Sequence, residues 1–497
     1  MLPRSKKRNC FNSLPTSNFL LFFLSTFLPF YLSTFLHSVP HINGIDPGPK
    51  EYVHKLPDIE TLRAMKFSPR VIAKTIGTTG TRKVAVILVN FSDPGSNTSG
   101  ANTMDMADIT GFNTTFDYLK NFYKEASYHK LNVGVTFFFS TGSATSLSGG
   151  EAPFTLSGHS MSYYGQDTDG SLSQLVIDSL NATGGNVKHI SDGGVYDGVI
   201  VAHAGYGNES TGGGANNGDI WSVYIGPFVN TNGFTEGTIV PAKEASGNSP
   251  VGVTCHEFGH HLGLWDLYKT IDDSGSSQVG CWSLMDYGCW LGIPSGSQPS
   301  HPSGWDKYKL GWLTPIELSS RTHNLTSYSF ETSSTSIYKL KAVDTETEYF
   351  LVYHTSRTIY SPATPGDGLL IWHIDEGAID GITFANRKTN NSLNNYSHRT
   401  VDVEEADYTD PSSNYGDLGD LWPGMRQTFT TPYSDEYSGS PSMINVFDIS
   451  NYIQLSSFTV SYKPFIRGYI KDSAGNGLSD VVLSTGAGSS SISSSDG

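Results

Sequence analysis

The chain has 497 residues, enough for about two to four domains. Only 16% of residues are charged and 53 are glycine, a profile of β-rich, loop-rich extracellular proteins rather than helical cytosolic ones. The formal net charge of −16, with no basic stripe past residue 8, excludes nucleic acid as a partner, because phosphate binding needs clustered Lys and Arg.

In chain order, Arg4, Lys6, Lys7 and Arg8 precede an apolar run at 19–36, so residues 1–38 read as a secretory signal and the protein as secreted. The run is long and no A-x-A site follows it, so an uncleaved N-terminal membrane anchor is the alternative. Nothing else approaches membrane-spanning length, and no other membrane partner is expected. Residues 39–81 lack a sustained period and read as a linker or short propeptide. The run 83–91 (KVAVILVNF) predicts a strand buried on both faces. A helix is expected at 115–126, a strand at 131–139, a short helix at 172–180 and a second buried strand at 196–203. The glycine-rich stretch 205–218 reads as a surface loop.

Then comes 254–266 (TCHEFGHHLGLWD), an H-E-x-x-H motif extended by Gly263 and Asp266. Residues four apart on a helix share a face, so His256 and His260 can point at one cation with Glu257 beside it. This pattern predicts a zinc site that activates water. Gly263 is a natural helix stop, and a turn there returns Asp266 as the third ligand. A glutamate on a following helix is ruled out, because no Glu stands between Glu257 and Glu317. His261 faces about 100° away around the helix. Three protein ligands leave a fourth position for water, with Glu257 as general base.

The segment 282–288 (WSLMDYG) reads as a tight turn that puts Met285 beneath the metal as packing. An N-capped helix is expected at 303–310, closing a catalytic domain at 82–313. From 314 to 464 short strands dominate, at 337–342, 348–353, 368–374 and 455–462. Residues 465–497 look like the opening of a β-sandwich, incomplete because too few residues remain to bury a core. The overall class is α+β. Cys10 precedes the apolar run, leaving Cys255, Cys281 and Cys289, whose pairing stays open. His373, Asp375 and His398 form either a further polar site or a buried network. Asn390 and Asn395 are among several N-x-S/T acceptor sites, relevant in a eukaryotic host.

These residues resemble the immune inhibitor A family of secreted zinc metalloproteases, within the wider metzincin-like class. The likeness runs through KVAVILVNFSD (83–93), YYG (163–165), YDGVIVAHAG (196–205), HEFGHHLGLWDLY (256–268), WSLMDYG (282–288), WDKYKLGW (305–312), GLLIWHIDE (368–376) and GDLGDLWPG (416–424). Trp265 stands where the family usually has proline. The tail is similar to carboxypeptidase-regulatory-like β-sandwiches. The resemblance implies a zincin/metzincin-like fold with a twisted sheet, hydrolysis of protein or peptide substrates, one catalytic zinc and structural calcium. It also implies that Tyr287, two residues after the turn methionine, helps stabilise the oxyanion. Candidate calcium ligands are Asp272 with Asp273, Asp417 with Asp420, and Asp402, Glu404, Glu405 and Asp407. A monomer is expected. The competing functional reading is a catalytically inactive secreted binding or adhesion protein on the same scaffold.

Overall fold

The computed structural model describes residues 77–211, 218–270, 276–319, 321–341 and 347–462, and the backbone of two paired strands at 482–484 and 490–492. The expected signal, nearly all of the expected linker, Asp272, Asp273 and most of the tail lie outside the described residues. So do residues 212–217 of the glycine-rich stretch.

Strand β1 (Gly80–Phe91) runs through the middle of a seven-stranded sheet, and Val84 to Val89 are fully buried. It pairs in parallel with β2 (Leu131–Phe139) on one side and with β5 (Gly198–Tyr206) on the other. Short β3 (Gly142–Ala144) closes the β2 edge, and β4 (Phe154–Leu156) lies along the end of β1. Beyond β5, the sheet ends in β6 (Val223–Ile225) and β7 (Gly237–Lys243), in the order β5–β7–β6. Only β6 and β3 run antiparallel to their neighbours.

The period of two in β1 divides its side chains between two cores. Val84, Val86 and Leu88 pack with helix α1 (Met106–Ala126) and with the helix that carries the histidines. Ala85, Ile87 and Val89 pack with helix α2 (Met161–Tyr164) and helix α3 (Asp169–Ala182). Helix α1 begins nine residues before the expected start at 115. Asp105 and Asp108 form a reciprocal capping box, so the N-terminus is set by polar residues that the apolar spacing does not reveal.

Helix α4 (Val251–His261) and helix α5 (Gly304–Lys309, capped by Ser303) follow. Downstream, a five-stranded sheet contains β8 (Ile316–Leu318), β10 (Tyr338–Lys341), β11 (Glu348–Thr355), β12 (Gly368–Asp375) and β13 (Val401–Val403). A three-stranded sheet is built from β9 (Thr322–Tyr328), β14 (Asn445–Tyr452) and β15 (Leu455–Ser461). Every residue of β11 and β12 is buried. Leu351, Tyr353, Leu370 and Trp372 share the core of α1 and α4, whereas Phe350, Val352, Leu369 and Ile371 share one with Val446, Phe458 and Val460. The described residues thus form a mixed α/β molecule with several sheets and few helices, and one hydrophobic core runs continuously past residue 313.

Candidate metal centre

All of α4 is buried, which is unusual for a segment with three histidines and a glutamate and demands partners for each polar group. The helix ends in a Schellman turn. Gly263 N donates to His260 O at 2.8 Å and Leu264 N to Gly259 O at 3.0 Å, with Gly263 at φ 99°. This reversal carries Asp266 back over the helix. Its Oδ1 lies 3.0 Å from His256 Nε2 and 3.2 Å from His260 Nε2, and the two Nε2 atoms are 3.2 Å apart.

The other ring nitrogens are already committed. His256 Nδ1 lies 2.9 Å from Leu284 O and His260 Nδ1 lies 3.0 Å from Leu264 O. A carbonyl only accepts, so each Nδ1 carries a proton, and Nε2 is the atom that each ring turns toward the other and toward Asp266 and can offer as a lone pair to a cation. Two lone pairs and a carboxylate oxygen at such distances repel unless a cation lies among them. The two-nitrogen, one-oxygen donor set fits zinc. Among the described residues this is the one group of three or more His, Cys, Asp or Glu side chains whose donor atoms converge in this way.

Glu257 is fully buried next to this group. Its Oε2 accepts the Tyr224 N–H of the edge strand β6 at 2.7 Å, and its Oε1 has no hydrogen-bond partner. Burial, and then the nearby Asp266 carboxylate, push its pKa well above the usual carboxylate range. His261 turns away toward Thr238 Oγ1 on β7 (3.3 Å), and burial lowers its pKa to about 3.

Below the helix lies the turn at 282–288. An added Cβ on Gly259 would sit 2.8 Å from Met285 Sδ, so the helix and the methionine are in direct contact. Met285 O accepts from Leu267 N at 2.9 Å, so successive carbonyls of the turn hold His256 and the neighbour of Asp266. Asp286 shapes the turn by accepting the backbone N–H groups of Gln278, Val279, Gly280 and Tyr287 at 2.6–3.1 Å. Tyr287 is half-buried with its ring 4.5 Å from that of Tyr415. Burial lifts its phenol to about 12, so it remains a hydrogen-bond donor at neutral pH.

Asn391 was not anticipated. It donates from Nδ2 to Asp266 Oδ2 at 2.5 Å and accepts Asp266 N–H on Oδ1 at 3.0 Å. Its mark in the sequence is the run NNSLNN at 390–395, which from sequence alone reads as N-x-S/T acceptor sites at Asn390 and Asn395.

Most of the described candidate calcium ligands bond within the protein. Asp402 pairs with Arg399 (2.6 Å), Glu404 with His373 (3.0 Å), and Asp420 accepts from Trp282 Nε1 (2.7 Å). Asp417 caps its own turn through Gly419 N, and Glu405 and Asp407 join no converging donor group. These carboxylates serve internal bonds, and calcium finds no support at them. His373 and His398 stack on Tyr437 (ring centroids 4.2 and 3.8 Å), and His398 pairs with Asp375 at 2.8 Å, so of the two alternatives these residues form a polar network. Cys255, Cys281 and Cys289 are all buried free thiols, so no disulfide joins any two of them.

Residues 169–313 match the family model for the immune inhibitor A peptidase M6 catalytic domain. The chain is 32% identical over 161 residues to the pre-pro-metalloprotease PrtV of Vibrio cholerae serotype O1, covering 29% of this chain and 17% of that protein. It is 31% identical over 147 residues to immune inhibitor A of Bacillus thuringiensis subsp. alesti, covering 26% of this chain and 20% of that one. The aligned part is therefore a fifth or less of each relative's length. The resemblance read from the motifs is borne out over this segment, which contains α4, Asp266 and Met285. Among the described residues no helix is long and apolar enough to cross a membrane.

Proposed function

We propose that the chain is a secreted zinc-dependent endopeptidase with a metzincin-like catalytic region, in which His256, His260 and Asp266 are the metal ligands and Glu257 is the general base. The observation that carries this reading is the meeting of three donor atoms at 3.0–3.2 Å, with both Nδ1 atoms already hydrogen-bonded to carbonyls. The match over 169–313 supports the same chemistry.

Zinc in this set supplies the Lewis acidity that activates water and polarises a scissile carbonyl. The residues do the rest. Glu257 holds Tyr224 N–H with Oε2, so the unpartnered Oε1 is the atom that takes the proton from the attacking water and passes it to the leaving amine. The same bond anchors the edge strand β6 against the base. In this reading the Tyr287 phenol donates to the developing oxyanion, and Met285 sets the height of the helix from below. Substrates are proteins or peptides.

The test is hydrolysis of casein by the purified protein, with chelator, after zinc is restored, and beside Glu257→Gln. Chelator-sensitive activity that zinc restores, lowered by about 10²–10⁴-fold in a zinc-loaded Glu257→Gln variant, is the expected result. Zinc binding by the wild type without any turnover would favour the inactive binding protein instead.

A further inference from the structure

We propose that Asn391, supplied by the region beyond the catalytic segment, is a positioning residue that decides how Asp266 meets the metal. This rests on the reading of His256, His260 and Asp266 as ligands.

The bond between Asn391 and Asp266 is reciprocal. The amide N–H of Asn391 takes Asp266 Oδ2 (2.5 Å), and the amide carbonyl takes the backbone N–H of the same aspartate (3.0 Å). One side chain thus fixes both the backbone and the carboxylate plane of the ligand. The consequence is selection between the two oxygens. Oδ2 accepts from the amide, while Oδ1 is the oxygen that lies 3.0 and 3.2 Å from the two Nε2 atoms, an arrangement that favours a one-oxygen ligand.

The clamp is itself anchored. Asn391 is buried and has φ 46°, a left-handed conformation that asparagine adopts more readily than most residues. Three residues on, Asn394 Nδ2 donates to Leu267 O (2.9 Å) and to Val401 O (2.8 Å), tying the ligand segment to β13. Next, Asn395 Oδ1 accepts Thr270 N–H at 2.6 Å. Asparagines at 391, 394 and 395 therefore grip residues 266, 267 and 270 in register, opposite the turn carbonyl that holds Leu267 N. Neutral amides suit this place. They donate to the carboxylate without adding a charge that would compete with the cation, and such outer partners typically change metal affinity by about 10–100-fold.

The experiment uses the full chain, stripped of metal and titrated with Zn²⁺ against a chromogenic chelator. The variants are Asn391→Gly, which keeps the left-handed backbone without strain, and Asn391→Asp, which keeps the acceptor for Asp266 N–H but sets a like charge against Oδ2. Zinc Kd is expected to rise about 10–100-fold in Asn391→Gly and at least as far in Asn391→Asp. The visible spectrum of the Co²⁺-loaded variants should shift from that of the wild type, a change that loss of stability alone does not produce. Wild-type affinity and an unshifted spectrum in either folded variant overturn the clamp while leaving the ligand reading intact. A wild type that binds no zinc, or binds it equally after His256→Ala, overturns the ligand reading and the clamp together.

Discussion

Gly259 occupies the point where the histidine helix touches the turn below it. Any Cβ there would stand 2.8 Å from Met285 Sδ and 3.2 Å from Tyr123 Oη, inside ordinary contact distance. Overpacking of this kind costs about 1–3 kcal/mol, and truncating a buried methionine costs about 2–5 kcal/mol. Because the two changes relieve each other, Gly259→Ala with Met285→Ala should be less destabilised than the sum of the singles, by about 0.5–3 kcal/mol in urea unfolding. Strict additivity would show that the methionine does not support the helix. At this scale the sequence was most legible where chemistry is local. His256, Glu257, His260 and Gly263 lie within one helix and its cap, so spacing alone brings them together. Asn391 is 125 positions from Asp266, and no period or motif in the chain encodes that approach.

Among the elements, buried runs of β-branched and aromatic residues announced β1, β5, β11 and β12, because a strand covered on both faces leaves a continuous apolar signature. Strand β14 left no such mark. Its last six residues are exposed or half-buried and include Asp448, so it pairs through its backbone with little apolar burial. The polar network of the second sheet was also open in the sequence, since His373 gave no hint of its partners. The structure sets its Nε2 2.8 Å from Glu348 Oε1 on β11, and its Nδ1 3.0 Å from Glu404 Oε1 just past β13. Burial disfavours the imidazolium, but the two carboxylates outweigh it and lift His373 to about 9. The folded value lies above the unfolded one of about 6.5, so this stabilisation is complete below that pH and lost as pH rises through 9. The shift of His373 from 6.5 to about 9 is worth about 2–3 kcal/mol at pH 7. Urea unfolding between pH 7 and pH 10 should therefore show wild-type stability falling by about that amount more than the stability of His373→Gln. His373→Gln should start lower and follow a flatter profile, and parallel profiles for the two proteins would contradict the ion-pair account.

For the whole molecule, the proposed metal centre is an assembly of distant pieces. Helix α4 and its cap bring three residues, the turn at 282–288 brings two carbonyls, and the asparagines at 391–395 close the far side. The continuous core around α1, α4, β11 and β12 holds these pieces in one frame, which is why division of the chain by composition could not show that the second region reaches the site. The same frame buries Cys255, Cys281 and Cys289 as thiols, and none of them converges with the histidines. X-ray absorption at the zinc edge of the purified, zinc-loaded chain tests this arrangement directly. The account predicts one zinc per chain with only nitrogen and oxygen neighbours at about 2.0–2.2 Å, and loss of that signal in His260→Ala. A sulfur neighbour at about 2.3 Å, or an unchanged spectrum in His260→Ala, would place the metal elsewhere and contradict the account.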